Sequence, residues 1–139
     1  MLIAGSAVIC DQCSKHWVMA HVADGVPVPV VRGLVWITLT RNTGIAFGVF
    51  RGIGAWWLIF LVSAAMVFLV VSLKRFLARP GLALLLGGIV SSLIDRFRFG
   101  AVIDFIDIKV WPVFNLSDIF ICSGAVLLAG YLLGEKKQI

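Results

Sequence analysis

Charged residues are scarce in this chain of 139 residues. They make up 14% of it, whereas soluble domains carry about 25%, and glutamate occurs once, at Glu135. The hydrophobic fraction is 61% and the mean hydropathy is +1.07. The shortage of charge excludes an ordinary soluble domain and indicates an α-helical integral membrane protein. Because the chain is too short for a second soluble domain, we expect a single membrane domain over residues 1–139.

Cysteine is also scarce, and the three thiols, Cys10, Cys13 and Cys122, cannot form a closed disulfide framework. Cys10 and Cys13 make a CxxC pair, but it lies in an apolar helical segment without a βαβ pattern, which argues against a redox motif. The pair shares a helix face with His16, yet no fourth ligand for zinc is evident. We interpret the thiols as small buried side chains and expect no metal and no cofactor.

Four apolar segments predict transmembrane helices, since a span needs about 20 residues. They cover about residues 2–20, 55–73, 82–97 and 116–133. Basic residues follow the second and fourth segments, namely Lys74, Arg75, Arg79, Lys136 and Lys137. The positive-inside rule assigns these residues, and with them both termini, to the cytoplasm. The same clustering accounts for the net charge of +5 without a nucleic acid as partner.

A β-rich region of about residues 24–54 separates the first two segments. Val26–Val31 and Val35–Thr40 are rich in β-branched residues and bounded by glycine and proline, a pattern typical of strands. Gly44 follows them and permits tight backbone geometry. A further strand is predicted at Ala101–Ile108, between the third and fourth segments. We therefore expect four transmembrane helices with a small outward-facing, periplasmic β-cradle.

Two aspartates, Asp104 and Asp118, flank the connector before the fourth segment. Ionisable groups at membrane depth are costly, so they usually face a partner or a wet cavity. Neither aspartate has a basic neighbour close in sequence on a helical face, and two carboxylates that meet can share a proton and act as acid and base on one water. We predict that they form a catalytic pair. Asp118 falls in the first turn of a helix, which favours negative charge, whereas Asp104 in a loop or strand end lacks that help, so we expect Asp104 to hold the proton more often.

Other polar residues are expected to gather at the same outer face of the helices, namely Asp11, Lys15, Asn42, Asp95, Arg96 and Asn115. Such convergence suits a functional site. The alternative is a set of structural ion pairs, Asp11 with Lys15 at i, i+4, Asp95 with Arg96 or Arg98, and Asp107 with Lys109. From the residues alone, both interpretations stay open.

Five sequence blocks then follow one another along the chain: Asp11-Gln-Cys-Ser-Lys15, Arg41-Asn-Thr-Gly-Ile-Ala-Phe47, Leu93-Ile-Asp-Arg96, Gly100-Ala-Val-Ile-Asp-Phe105 and Phe114-Asn-Leu-Ser-Asp118. In this order, within a small chain of four apolar segments, they resemble the bacterial lipoprotein signal peptidases (signal peptidase II). The resemblance implies an aspartyl endopeptidase of the bacterial inner membrane, multi-pass and with its active site near the outer face. It would remove the signal peptide from prolipoproteins by cutting before a lipid-modified cysteine.

The same resemblance implies roles for individual residues. Asp104 and Asp118 match the catalytic dyad. The supporting or substrate-binding set matches Asp11, Lys15, Asn42, Gly44, Asp95, Arg96 and Asn115. The implied partners are a diacylglyceryl-modified prolipoprotein and membrane lipid, and the protein is expected to be a monomer.

Two positions depart from the family pattern. Ser91-Ser92 stands where Gly-Asn is usual, and a serine reaches less far than an asparagine amide. The small pair usual before the Ala-Phe of the second block is changed to Gly44-Ile45. Two other functions remain alternatives to the peptidase. One is a small transporter or channel with an aspartate-based proton relay, although acids gathered at one face do not form a chain across a bilayer. The other is a structural or chaperone-like membrane subunit without activity.

Overall fold

Four α-helices and one three-stranded sheet make up the part of the protein that the structure describes. The computed structural model describes residues 2–44, 55–73, 76 and 79–136. Its elements in chain order are α1 (Leu2–His21), β1 (Val28–Val31), β2 (Val35–Asn42), α2 (Ala55–Ser72), α3 (Pro80–Phe99), β3 (Val102–Asp107) and α4 (Leu116–Lys136). The prediction of four helices with a small sheet is confirmed.

The sheet joins two distant parts of the chain. Its strand order is β1-β2-β3, and both pairings are antiparallel. Thr40 of β2 lies opposite Asp104 of β3, and Asn42 lies opposite Val102. The sheet therefore extends beyond the predicted β-rich region of residues 24–54, of which residues 45–54 lie outside the described residues. Asp104 lies inside β3, so the expectation of a loop or strand end at this position is wrong.

The third helix is longer than predicted at both ends. Pro80 begins it, because a proline in the first helical turn gives up no intrahelical hydrogen bond. Gly100 ends it in the left-handed conformation, with φ of 70°, and its N–H donates to the carbonyl oxygen of Arg96 at 3.0 Å. The chain then enters β3 two residues later. Asp95 and Arg96 thus lie on the last turns of α3, and Asp95 is within hydrogen-bond distance of Ile103 in β3.

The helix α3 packs closely against both α1 and α4 through glycine. A Cβ atom added at Gly87 would lie 2.8 Å from the carbonyl oxygen of Ala4, and one added at Gly88 would lie 2.6 Å from the carbonyl oxygen of Ser117. Small residues let helix backbones approach, as is common between membrane helices. The contact at Gly88 brings α3 against the first turn of α4, where the polar residues begin.

Two apolar clusters lie at opposite ends of the helices. The cluster beside the sheet consists of Val18, Val22, Leu39, Ile103 and Phe105. It packs the end of α1 against β2 and β3 and so fixes the sheet over the helix ends. The other consists of Phe76, Leu82 and Leu128, near the beginning of α3 and within α4.

Within the described ranges, one helix combines the length and the apolar composition of a membrane span, α4 over Leu116–Gly134, with a mean hydropathy of 1.9. Ile59–Ser72 in α2 is a shorter apolar helix. The expectation of four spans therefore stays a prediction.

Candidate active site

Asp104 is held by two amide side chains, one on each carboxylate oxygen. It lies on β3 and is 4% exposed. Nδ2 of Asn42, at the end of the neighbouring strand, donates to Oδ2 at 3.1 Å. Nδ2 of Asn115 donates to Oδ1 at 2.6 Å. The carboxyl group is thus fixed in place before any substrate arrives.

Asn115 also holds the second aspartate, because it is the N-cap of α4. Its Oδ1 accepts the backbone N–H of Asp118 at 3.0 Å, and its own backbone N–H donates to Oδ2 of Asp118 at 3.1 Å. This reciprocal pair is a capping box, with aspartate in the position more often taken by glutamate. One residue therefore makes direct hydrogen bonds to both Asp104 and Asp118, and the structure brings the two predicted catalytic side chains to a single site.

The environment of Asp104 favours its neutral form. Burial, and after it the nearby negative charge of Asp118, raises the pKa of Asp104 from its ordinary value of 3.8 to about 7. The donors on Asn42 and Asn115 act in the opposite direction, as does the more distant charge of Lys15. Desolvation and like-charge repulsion outweigh two amide hydrogen bonds, so Asp104 can hold a proton close to neutral pH.

Asp107, on the same strand, shows the contrasting case. The hydrogen bond from Nζ of Lys109, at 2.6 Å, lowers the pKa of Asp107, and the hydroxyl of Thr38 adds a further donor at 2.8 Å. The ion pair between Asp107 and Lys109 considered from the sequence is confirmed. A carboxylate three residues from Asp104 is thus a stably ionised structural group.

A buried ion triad lies behind the two aspartates. Nζ of Lys15 is 2.5 Å from Oδ2 of Asp11 and 2.7 Å from Oδ2 of Asp95, and all three side chains are at most 1% exposed. Asp95 is paired with Lys15 rather than with Arg96 or Arg98, the partners considered from the sequence. The triad joins α1 to α3, and its cation pairs with two carboxylates that would otherwise be buried without a charged partner, at high cost.

The two aspartates of the triad also accept hydrogen bonds from the backbone next to Asp104 and Asp118. Oδ1 of Asp11 accepts the N–H of Ser117 at 2.9 Å, immediately before Asp118. Oδ2 of Asp95 accepts the N–H of Ile103 at 3.1 Å, immediately before Asp104. The two supporting aspartates therefore position the two catalytic candidates through the peptide groups that precede them.

Gln12 and Ser91 also belong to the hydrogen-bonded site, although neither was among the residues predicted for it. Nε2 of Gln12 lies 2.7 Å from Oδ1 of Asp95 and 3.0 Å from Oγ of Ser91, and the Ser91 hydroxyl donates to Oδ2 of Asp11 at 2.6 Å. Ser91 is one helical turn before Asp95 on α3, so the i, i+4 spacing of two polar residues in an apolar helix was an available signal. Gln12 could have been found as the polar neighbour of Asp11 in an apolar segment.

Ser92, which stands where the family pattern has asparagine, contacts α4. Its Oγ lies 2.8 Å from Oγ of Ser117, and the Ser117 hydroxyl donates to Oδ1 of Asn115 at 2.6 Å. The serine at position 92 is therefore connected to the site through a second serine.

Arg96 and Gly44 close the side of the site toward β2. Nη2 of Arg96 donates to the carbonyl oxygen of Gly44 at 2.7 Å, and the N–H of Gly44 donates to Oδ1 of Asn42 at 3.0 Å. Arg96 is buried. The contacts orient Asn42, which in turn donates to Asp104. All nine residues expected at the site thus join one hydrogen-bonded network.

The cysteines do not belong to it. Cys10, Cys13 and Cys122 are exposed on the helix surfaces, so the interpretation as buried thiols is wrong. In the part of the chain that the structure describes, no three histidine, cysteine, aspartate or glutamate side chains are grouped to hold a metal ion.

The fold places the chain in a class with solved structures of small helical membrane enzymes. The chain is similar to a solved bacterial membrane enzyme, obtained by the in meso method at 2.3 Å resolution, with a TM-score of 0.83, 27% identity and coverage of 99% of this chain and 88% of the other. A second bacterial membrane enzyme, solved at 1.9 Å resolution, gives a TM-score of 0.77 and 28% identity over 95% of this chain and 90% of the other.

Within that class, the chain belongs to the signal peptidase II family, whose model matches residues 3–133. The lipoprotein signal peptidase of Moorella thermoacetica is 36% identical and covers 99% of this chain and 97% of that protein. The lipoprotein signal peptidase of Syntrophomonas wolfei is 40% identical over 94% of this chain and 91% of that protein. The resemblance seen in the sequence is confirmed, and the chain is a peptidase by family.

Proposed function

We propose that this protein is an intramembrane aspartyl endopeptidase that removes the signal peptide from prolipoproteins. Membership of the signal peptidase II family and the names of its relatives support the substrate class. One observation carries the aspartyl assignment: Asn115 hydrogen-bonds to the carboxylates of both Asp104 and Asp118. Two carboxylates held this close resist double ionisation, so a pair that shares one proton is favoured.

The two carboxyl groups take different parts in hydrolysis. Ionised Asp118 accepts a proton from water as the water oxygen attacks the peptide carbonyl carbon, and protonated Asp104 donates its proton to the carbonyl oxygen. When the tetrahedral intermediate collapses, the C–N bond breaks, the amine receives a proton from Asp118, and Asp104 regains one from the hydroxyl. The helix N-terminus at Asp118 and the raised pKa of Asp104 support this division.

The remaining predicted residues act through the pair. Asn42 and Asn115 orient the carboxyl groups. Asp11, Asp95 and Lys15 hold the peptide groups that precede the catalytic residues, as their hydrogen bonds and ion pairs indicate. Arg96 and Gly44 border the site on the β2 side and provide a surface for the substrate. The supporting residues are thereby positioning groups, and the chemistry rests on the two aspartates.

The chain forms a single membrane domain of four spans, with both termini in the cytoplasm and the site near the outer face. Large apolar side chains on α1, α2 and α4 support a lipid environment, since Ile9, Phe68 and Val126 are 64%, 73% and 72% exposed. Soluble monomers rarely expose such surfaces widely. The sheet and the polar network occupy one end of the helices, and the acyl chains of the substrate stay in the bilayer. A substrate helix would therefore enter laterally, between spans. The enzyme works as a monomer in contact with membrane lipid.

The substrate is a prolipoprotein with a diacylglyceryl-modified cysteine, and cleavage occurs immediately before that residue. The acyl chains remain in the bilayer, so the modified cysteine is held at the interface beside the site. An unmodified prolipoprotein lacks this anchor and should be cleaved poorly.

The test is to incubate the purified protein with a diacylglyceryl-modified prolipoprotein and to locate the cut by mass spectrometry. Asp104→Asn and Asp118→Asn should each abolish cleavage. Asp107→Asn, on the same strand as Asp104, is the matched control and should retain turnover. If either dyad variant cleaved at the wild-type rate, the aspartyl assignment would be wrong.

The same preparation separates the other two functions. Ion flux through reconstituted vesicles in the absence of cleavage would indicate a transporter or channel. A folded wild-type protein that neither cleaves nor conducts would indicate a structural subunit.

A further inference from the structure

Asn115 makes all four hydrogen bonds that its side chain can form. Nδ2 donates to Oδ1 of Asp104 at 2.6 Å and to the carbonyl oxygen of Ile103 at 3.1 Å. Oδ1 accepts the hydroxyl of Ser117 at 2.6 Å and the N–H of Asp118 at 3.0 Å. An amide has two donor hydrogens and two acceptor lone pairs, so this set is complete. It fixes which end of the amide faces Asp104.

Ser117 supplies one of the two donors that determine this orientation. It is fully buried, and its N–H is already used on Oδ1 of Asp11. Its single hydroxyl hydrogen is donated to Asn115, so the hydrogen shared with Ser92 at 2.8 Å comes from Ser92. The donors therefore run in one direction, from Ser92 on α3 to Ser117 and then to Asn115 on the cap of α4.

We infer that Ser117, with Ser92 behind it, is a positioning residue that holds the Asn115 amide with its donor toward Asp104. This inference rests on the proposed function, in which Asp104 is the proton donor. Without the Ser117 hydroxyl, Oδ1 of Asn115 keeps one partner, the N–H of Asp118, and the amide is less firmly oriented. The chemical step should suffer more than substrate binding, because neither serine is expected to touch the substrate.

The lost contact to Oδ1 of Asn115 can be rebuilt from position 92. Two hydroxyls in series cover the distance from α3 to Asn115. An asparagine at position 92 is longer than serine and carries two N–H donors. Removing Oγ of Ser117 opens the space between position 92 and Asn115, so an asparagine at position 92 can donate to Oδ1 of Asn115 directly. The double variant Ser92→Asn/Ser117→Ala should therefore restore what Ser117→Ala loses.

The experiment measures kcat and KM on a diacylglyceryl-modified prolipoprotein for four variants. For Ser117→Ala we expect kcat to fall about tenfold, as for the loss of one buried hydrogen bond, with KM unchanged. Ser92→Ala should lower kcat by a smaller factor. Ser92→Asn/Ser117→Ala should recover most of kcat, and Ser63→Ala, a serine on α2, should behave as wild type. An unchanged kcat in Ser117→Ala, or a double variant no better than the single one, would overturn the inference.

A second measurement does not depend on activity. Hydrogen exchange of the Asn115 side-chain amide, followed by NMR on selectively labelled protein, should be at least tenfold faster in Ser117→Ala and slow again in the double variant. If Ser117→Ala cannot be purified in folded form, Ser92→Ala provides the same comparison with a smaller expected change. If the wild type cleaves nothing while exchange responds as expected, the proposed function fails and the positioning role stands. If exchange is the same in all variants, the positioning role fails.

Discussion

Replacing Asp104 with asparagine should change how stability depends on pH. In the folded protein the pKa of Asp104 is about 7, against an ordinary value of 3.8 in the unfolded chain. Between these values the folded state binds the extra proton, so the free energy of unfolding of the wild type falls as pH rises through this interval. Asparagine does not titrate, and the contribution of this position to the pH dependence disappears in the variant.

The size of the effect follows from the geometry. The interval from 3.8 to about 7 corresponds to about 4 kcal/mol, at about 1.4 kcal/mol for each pKa unit. Against this, both oxygens of Asp104 accept an amide N–H, from Asn42 and from Asn115. Asparagine offers one acceptor oxygen, so one of these donors would face an NH₂ group, which costs about 1–3 kcal/mol. Asp104→Asn should therefore be about 1–3 kcal/mol more stable than wild type at pH 8 and less stable by a similar amount at pH 4.

Unfolding in detergent micelles at both pH values provides the measurement, with Asp107→Asn as the control. The pKa of Asp107 is lower in the folded protein than its ordinary value of 3.8, so ionised Asp107 stabilises the folded state at pH values above 3.8. Asp107→Asn should therefore lose stability at pH 8 and lose less at pH 4. The reasoning is refuted if Asp104→Asn differs from wild type by the same amount at both pH values.

Three further outcomes are expected. Lys15→Met leaves two buried carboxylates without their cation and should cost about 3–5 kcal/mol, seen as a lower melting temperature in detergent; a loss below 1 kcal/mol would contradict the triad's importance. Gly88→Ala places a Cβ 2.6 Å from the Ser117 carbonyl oxygen and should lower kcat by displacing the first turn of α4. Gly5→Ala, whose Cβ meets nothing within 4 Å, should leave kcat unchanged. Equal kcat values for the two variants would refute this expectation. EDTA should not alter turnover, because the proposed mechanism uses two carboxyl groups alone, and inhibition reversed by added metal would contradict it.

Local composition was sufficient to predict most elements. The strands were found where β-branched residues are bounded by glycine and proline, and the helices where apolar residues predominate over a long segment. The misjudged boundaries have physical causes. α3 continues two residues past the predicted end, to Phe99, because Gly100 takes the left-handed conformation there and its N–H donates to the carbonyl oxygen of Arg96.

Some residues of the candidate site could be predicted from the sequence, and the roles of others depend on tertiary contacts. Asp104 and Asp118 could be predicted because a carboxylate in an apolar chain needs a reason to be there. For Gln12 and Ser91 the sequence offers only their spacing from Asp11 and Asp95. Their contacts join residues 79 to 83 positions apart and depend on the direction of side chains across a helix interface. The sequence of an apolar helix does not show whether a polar residue in it faces lipid or a neighbouring helix.

The amino-acid sequence by itself determined the membrane character, the order of helices and strands, the family and the identity of the two aspartates, because these depend on composition and on short motifs. Only the tertiary structure decided which groups touch: that Lys15 bridges Asp11 and Asp95, that the triad holds the peptide groups before each aspartate, and that Asn115 bonds to both. Hydrogen bonds and desolvation act over a few ångströms, and residues far apart in the chain reach that range only after the helices and the sheet have packed.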